Sequence, residues 1–349
     1  MTKFKSESRP WWRISEKNKS KNIKRAQRIG GYLARYAVII SLSYMLLYPL
    51  LRMIHLGITH PHAMGLVGSL WVPPMVSIDN FRTAWAVLDF WPHFWTTMSH
   101  MTLIMILQVV NAALAGYAFA RLKFRGSGIL FAFVLVTFVV PVQAMALPQR
   151  IMMQNFDVFG IITLIRGEPL NLLGQSAGMF IMSAFGMGLS AGLFIYIFRQ
   201  FVRGLPKELE EAAYVDGAGF LRTFTTIVVP MAKPAFLTVG VLSFIWNYSS
   251  IHFINLFNPT GTYFLNRVNQ LMTTFGGTPV IQGAINQALS AGRLSHSVVR
   301  LEMAHEGVGA YNTAILQVAS LIAILPMIIL FLIIQKQFVQ GVERSGIVG

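Results

Sequence analysis

Six apolar stretches, each near or beyond the length that crosses a bilayer, limit what this chain can fold into. They run Tyr36–Ile54, Phe94–Ala120, Ile129–Leu147, Met179–Phe198, Ala235–Phe257 and Tyr311–Ile334. About 20 residues at about 1.5 Å each span the hydrocarbon core. Lipid offers no hydrogen bonds, so each segment must satisfy its own backbone groups, as a helix does. The expectation is an all-α membrane protein with about six transmembrane helices. Composition agrees: 54% of residues are hydrophobic and 12% charged, against about 25% charged in a soluble domain. The first stretch begins too far into the chain, and has the wrong flanks, for a cleaved signal peptide. The chain therefore reads as a basic tail over 1–35 followed by one membrane domain over 36–349, with a long outer loop over 258–310.

The basic residues orient these spans. The formal charge is +15, and Lys3, Lys5, Arg9, Arg13, Lys17, Lys19, Lys21, Lys24, Arg25, Arg28 and Arg35 all precede the first stretch, against Glu7 and Glu16. Cytoplasmic segments carry the excess of Lys and Arg, so the N-terminus is expected in the cytoplasm. Arg121, Lys123 and Arg125 then fall in the next cytoplasmic loop, and Arg199, Arg203, Lys207, Arg222 and Lys233 in the one after. The intervening loops are nearly balanced, with Arg82 beside Asp79 and Asp89, and Arg150 and Arg166 beside Asp157 and Glu168. Both termini are thus cytoplasmic. The tail has few aromatic groups interleaved with its basic residues, Trp11 and Trp12 among them, which favours a topology determinant touching anionic lipid over a nucleic-acid site.

Several chemistries find no support. Cysteine is absent, which removes disulfides and thiolate sites. His60 and His62 are the one close histidine pair, on an outer loop without a nearby third ligand, so a solvated loop is the better reading than a metal site. There is no Gly-x-x-x-x-Gly-Lys-Ser/Thr loop for a nucleotide. Gly186-x-Gly188-x-x-x-Gly192 lies inside an apolar stretch and reads as close helix packing. No catalytic residue or metal ligand is expected. Within the six stretches there is no Asp, Glu or Lys, and Arg52 is the only Arg. Ion-coupled carriers usually need such a group in the membrane. Neutral amides occur there, among them Gln108, Asn111, Gln143, Asn247 and Gln317. They suit an uncharged, hydrogen-bonding solute, and each equally suits a bond to a neighbouring helix.

One polar element stands out, Pro206-Lys-Glu-Leu-Glu-Glu-Ala-Ala-Tyr-Val-Asp-Gly-Ala218, between the fourth and fifth stretches. Pro206 suits a first helical turn, and Glu208, Glu210 and Glu211 favour a helix N-terminus. Leu209, Ala212 and Ala213 share a face at spacing i, i+3, i+4. Asp216-Gly217 ends the helix, with Gly217 free to take positive φ. A second segment puts Phe220, Phe224, Ile227 and Val228 on one face, and Pro230 and Pro234 close it and open the next span. The prediction is a short helix, a sharp turn and a second helix along the cytoplasmic surface.

Glu211-Ala212-Ala213-x-x-Asp216-Gly217-Ala218, followed by Ile227-x-x-Pro230, resembles the cytoplasmic signature of permease subunits in binding-protein-dependent ABC importers. Leu114-Ala-Gly-Tyr-Ala-Phe-Ala-Arg-Leu-Lys-Phe-Arg-Gly126, Trp246-Asn247 and Gln335-Lys-x-Phe338-x-x-Gly341 are similar to carbohydrate permeases of the kind typified by the smaller membrane subunit of the maltose transporter. The resemblance runs from about Tyr36 to the C-terminus. It implies a multi-pass subunit of the bacterial cytoplasmic (inner) membrane that passes a sugar or oligosaccharide. The helix around Glu211 would be a coupling helix gripped by a dimeric ABC ATPase, with Gly217 supplying the turn. ATP and magnesium would sit on that ATPase, leaving this chain without a cofactor and without enzymatic activity. A second homologous permease would complete the pore, an extracytoplasmic binding protein would deliver the solute, and Trp246 would join Gln108, Asn111, Gln143, Asn247 and Gln317 as candidates for the solute path. An importer for a non-sugar solute such as a polyamine, and a non-transporting membrane scaffold, are the alternative readings. The chain departs from the family pattern in its long segment over 258–310, which either contacts the binding protein or is a surface insertion, with a short helix expected around Thr278–Gln287. It also lacks a lysine near the C-terminal Gly346-Ile-Val-Gly349.

Overall fold

The structure, a computed structural model, describes residues 11–63, 72–275, 278–294 and 308–344. The basic residues Lys3, Lys5 and Arg9, the part of the long segment over 295–307 and the C-terminal residues 345–349 lie outside them.

Helices dominate. The order is α1 (Trp11–Ile58), α2 (Asp79–Leu88), α3 (Phe90–Arg121), α4 (Ser127–Val139), α5 (Val142–Gln154), α6 (Ile161–Arg166), α7 (Ser176–Ala184), α8 (Ala191–Arg203), α9 (Glu208–Val215), α10 (Phe220–Thr223), a π-helical turn (Phe224–Val228), α11 (Val229–Met231), α12 (Lys233–Ser249), α13 (Ile251–Phe257), α14 (Phe264–Met272), α15 (Val280–Ser290) and α16 (Val308–Arg344). A two-stranded hairpin pairs β1 (Thr274–Phe275) with β2 (Thr278–Pro279). Among the described residues three helices are long and apolar enough to cross a membrane, within α1, α3 and α16, and up to five segments are if two bent helix pairs each count as one.

The helices divide the apolar stretches differently from the expectation of six unbroken spans. Ile129–Leu147 bends by 107° between α4 and α5, where Pro141 has no N–H to continue the ladder. Met179–Phe198 is two helices, because Gly186 (φ 73°) and Ser190 (φ 55°) both take left-handed backbone. Ala235–Phe257 breaks at Ser250, whose hydroxyl caps α13 at Phe253 N. The basic tail is not separate from the first span either: α1 continues through it as one helix of 48 residues.

Two cores hold the fold. One gathers Tyr117, Phe131, Phe194, Phe198, Phe224 and Val239 where α3, α4, α8 and α12 meet at their basic ends. The other, larger, joins α2, α7, α13, α14, α15 and α16 around Leu88, Phe257, Tyr263, Phe264, Ile285 and Ile315. The backbones approach closely at glycines. A Cβ on Gly116 of α3 would lie 2.5 Å from that of Phe198 on α8, and one on Gly192 would lie 2.5 Å from the Val134 carbonyl of α4. The expectation for the glycine run thus divides: Gly192 serves packing, whereas Gly186 makes a turn. By contrast, α1 from Tyr32 to Leu47 exposes nearly all its apolar side chains, with Leu46 at 76%. So much bare apolar surface on one helix matches a bilayer as its solvent.

The segment after Asn258 is not a loose insertion. α14 and α15 bury Phe264, Val268, Leu271, Ile281 and Ile285 in the larger core, and the helix expected around Thr278–Gln287 is α15. Arg267 donates from Nε and Nη2 to the Val87 carbonyl at 3.0 and 2.8 Å, capping the C-terminus of α2. Asp89, just past that end, pairs with Arg293 at 2.6 Å.

Candidate functional site

The polar element folds as the sequence predicts, with one shift: Pro206 stands just ahead of the helix, and Lys207 takes the N-cap position of α9. Its carbonyl accepts from Glu210 N and Glu211 N, both at 3.0 Å. At the other end Gly217 takes φ 80°. Ala218 N donates to the Ala213 carbonyl at 2.9 Å and Gly217 N to that of Tyr214 at 3.1 Å. This pair of bonds is the Schellman closure, which needs a left-handed residue where glycine costs least. Asp216 occupies the C-cap.

What fixes the helix to the bundle was not apparent from the sequence. The one buried side chain of α9 is Glu210, 6% exposed. One carboxylate oxygen accepts from Arg121 Nε at 2.7 Å and the other from Tyr117 Oη at 2.8 Å. Arg121 Nη2 also donates to the Leu205 carbonyl at 2.9 Å, holding the chain just before α9. Both donors sit in the last turns of α3, four residues apart, on one face. The rings of Phe220 and Phe224 pack edge-on against Tyr117, at 5.4 and 5.2 Å. The end of α3 therefore grips both halves of the elbow. Charge-assisted bonds of this kind are short and directional, so α9 and the end of α3 are held in one defined geometry.

The other face is open. Glu211 and Ala212 are exposed, Ala213 is half-buried, and Leu209 and Val215 are 44% and 88% exposed. The predicted apolar face thus points away from the bundle. The second segment follows the expectation in part: Phe224 and Val228 are buried and Ile227 is half-buried, but Phe220 is 40% exposed and the segment is not one regular helix. It reaches α12 through the π turn, then α11, which contains Pro230, and a 78° bend at Ala232.

The candidate solute-path residues separate. Gln108 on α3 and Asn247 on α12 meet. The Gln108 Oε1 accepts from Asn247 Nδ2 at 2.9 Å and from Ser243 Oγ at 2.6 Å. Gln108 is 3% and Asn247 0% exposed, and Gln108 Nε2, Asn247 Oδ1 and the neighbouring Ser183 Oγ have no partner in the structure. Gln108 presses on Gly188, and Asn111 Nδ2 donates to the Ala184 carbonyl at 2.9 Å, both at the α7–α8 break. Trp246 stacks on Phe194 with centroids 5.6 Å apart. Gln143 is exposed on α5 and Gln317 half-buried on α16, and the structure joins neither to this layer.

A second polar cluster, which no periodic signal in the chain announces, lies toward the far end of α3. His100 Nδ1 and Ser176 Oγ each lie 2.8 Å from Tyr263 Oη, and Asn258 Nδ2 donates to Ser176 Oγ at 3.2 Å. Burial raises the Tyr263 phenol above its usual value, so it stays neutral. Among the described residues no group of three His, Asp or Glu gathers closely enough for a metal ion. The side chain of His62 lies outside that description.

This architecture, helices bent in pairs with a short helix on an elbow, is that of a membrane transport permease. A family model described as the binding-protein-dependent transport system inner membrane component matches residues 108–344, and the chain belongs to that family. It is 27% identical over 293 residues to the melibiose/raffinose/stachyose import permease protein MelC of Bacillus subtilis, covering 82% of this chain and 87% of that protein. To the maltodextrin transport system permease protein MdxG of the same organism it is 24% identical over 326 residues, covering 92% and 98%. A solved bacterial ABC transporter involved in the import of the acidic polysaccharide alginate shares the fold. The TM-score is 0.58 at 18% identity, over 90% of this chain and 98% of that one.

Proposed function

We propose that this chain is the membrane-spanning permease subunit of an ATP-driven importer for a sugar or oligosaccharide in the bacterial cytoplasmic membrane. The observation that carries the reading is the elbow: α9 presents an exposed Leu209–Ala212–Val215 face while Glu210 ties it to the end of α3. In this reading α9 is the coupling helix, Glu211, Ala212 and Ala213 meet a cleft on a separate dimeric ATPase, and Asp216, Gly217 and Ala218 hold its closing turn. Pro230 and the bend at Ala232 carry the motion into α12. ATP and magnesium belong to the ATPase, and a second permease and an extracytoplasmic binding protein complete the assembly. Six segments cross the membrane: α1, α3, the bent α4–α5 pair, the broken α7–α8 pair, α12 and α16. Both termini are cytoplasmic, as the basic clusters at the ends of α3 and α8 support.

The carbohydrate class draws on relatives named for melibiose, raffinose, stachyose and maltodextrin. The physical support is the neutral layer of Gln108, Ser243 and Asn247, with a spare donor and a spare acceptor and no ionised group. Such amides recognise hydroxyl groups, and burying them unpaired costs about 1–3 kcal/mol each. Opening of the α7–α8 break would expose them.

The test is ATP-dependent uptake by the reconstituted complex, comparing the wild type with Glu211→Lys and Gly217→Pro. We expect both to bind solute and lose uptake. Normal uptake by both, with the ATPase still attached, would end the coupling role. No uptake from any assembly of the wild type would favour a scaffold.

A further inference from the structure

At the basic end of the bundle, the end of α3, the α3–α4 link, α8 and the start of α9 enclose a cavity of about 1010 Å³. Arg121, Lys123, Arg125, Arg199, Arg203 and Lys207 line it, against the carboxylates Glu210 and Glu211. Glu210 is taken by Arg121 at 2.7 Å. None of the other five cations forms an ion pair among the described residues. The charge is therefore far from balanced within the chain.

Arg199 shows what is missing. It is half-buried, its guanidinium lies 3.9 Å from the Phe131 ring centroid, and its Nε donates to the Phe119 carbonyl at 3.3 Å. These neutral contacts hold it in place without neutralising it, and Arg203 stands one turn further along α8. Like charges at that spacing repel, and an anion between them relieves the repulsion. Apolar surface adjoins the same cavity. Leu122 and Phe124 are exposed at its lining. Ser127 begins α4 there, and the helix leads away with Ile129, Leu130 and Phe133 at 66%, 51% and 65% exposure.

We propose that this cavity binds the phosphate headgroup of an anionic glycerophospholipid, with the acyl chains lying along the exposed face of α4. The inference rests on the proposed topology, which puts this end at the cytoplasmic interface, and is independent of the solute. A soluble anion would match the cations and leave the apolar face of α4 unused, and an acidic protein segment would do the same. A lipid uses both. The headgroup would sit beside Arg121 and the elbow, so lipid composition would bear on how firmly α9 is held.

The experiment measures binding of phosphatidylglycerol to the full chain, purified in detergent with its co-purifying subunits, by native mass spectrometry. Each basic residue near an anionic surface contributes about 1 kcal/mol, so removing one weakens binding about fivefold. The double variant R199Q/R203Q should therefore bind about 25-fold more weakly. R199K/R203K, which keeps both charges, and R82Q/R166Q, which removes two cations elsewhere, should stay within about twofold of the wild type. Equal binding by R199Q/R203Q and the wild type overturns the proposal, as does an equal loss in R82Q/R166Q or in R199K/R203K. Inorganic phosphate competing as well as the lipid also overturns it, because the α4 face would then contribute nothing. If R199Q/R203Q keeps its lipid and loses a co-purifying subunit, the cavity docks an acidic protein surface and the lipid assignment fails.

Discussion

The two ends of the bundle are held by different chemistry. At the basic end α9 buries a single side chain, and that side chain is a carboxylate. At the opposite end α14 buries Phe264, Asn266, Val268 and Leu271, and Asn266 donates to the carbonyls of Asn258, Pro259 and Gly261. An element of eight residues with no apolar face turned inward cannot be held by packing. It needs one strong, directional attachment, which the Glu210–Arg121 pair supplies. The cap owns a share of a large core, so its polar ties, from Asn266 and Arg267 to backbone carbonyls and from Arg293 to Asp89, add to packing and do not replace it. A charged hook attaches a short helix whose apolar side stays exposed, whereas packing builds the cap.

If that contrast is right, removing the hook is the most damaging change. Glu210→Ala leaves Arg121 buried and unpaired, at a cost of about 3–5 kcal/mol. We expect lowered thermal stability in detergent and loss of uptake. The double variant E210M/R121M should regain most of the stability and little of the uptake, because apolar groups replace a buried pair well but do not hold it in one geometry. A stable, fully active Glu210→Ala protein would show that packing holds α9 after all.

At the cap, Asn266→Ala removes the donor to three carbonyls, worth about 1–3 kcal/mol. It should raise hydrogen exchange across the loop between α13 and α14 while ATPase binding at the elbow stays unchanged. A coupled loss at the elbow would break the separation of the two ends.

Gly217→Ala forces a Cβ into left-handed backbone, costing about 1–2 kcal/mol. Apart from the adjoining residues, no atom lies within 4 Å of the added carbon, so the penalty is conformational. Gly217→Asn should therefore recover part of it, read as retention of the ATPase on a pull-down.

The smallest effect belongs to a carboxylate at the protein surface. Asp157 accepts from Thr163 Oγ1, from Ile162 N at 2.8 Å and from Thr163 N at 3.3 Å, tying down the start of α6. The bond from Thr163 holds its carboxyl below the usual carboxylate range, with the backbone N–H groups adding to it. A folded value below the unfolded one gives stability present above the unfolded value, near pH ~3.9, and lost as pH falls through the lower folded value. The protection factors of the Ile162 and Thr163 amides, corrected for intrinsic exchange, should be flat from neutral pH down to about 5 and fall only in stronger acid. Asp157→Asn should remove that dependence.

The elbow was largely legible in the chain. Proline, glutamates, paired alanines and an Asp-Gly stop are local signals, and Gly217 met them in the expected conformation. The identity of the anchored glutamate was not. Glu208, Glu210 and Glu211 fall within one turn and look alike in sequence. Which one faces α3 depends on the direction in which α8 delivers the chain. The breaks in the apolar stretches follow the same rule. The third expected span runs straight through Pro141, although a proline lacks the N–H a helix needs, whereas Ser190 and Ser250 carry no local mark that sets them apart, and hydropathy runs on through both. Arg267 reaching Val87 across 180 residues has no sequence signature at all.

The membrane-length apolar helices and the polar elbow with its glycine stop were set by the chain itself. Each depends on composition or on contacts within a few residues. The tertiary structure decided which ends are hooked and which are packed, where apolar runs fold back, and which amides meet. Gln108 joins Asn247 while Gln143 and Gln317 stand apart, because a helix fixes only the phase of its own side chains and its neighbours decide what each phase touches.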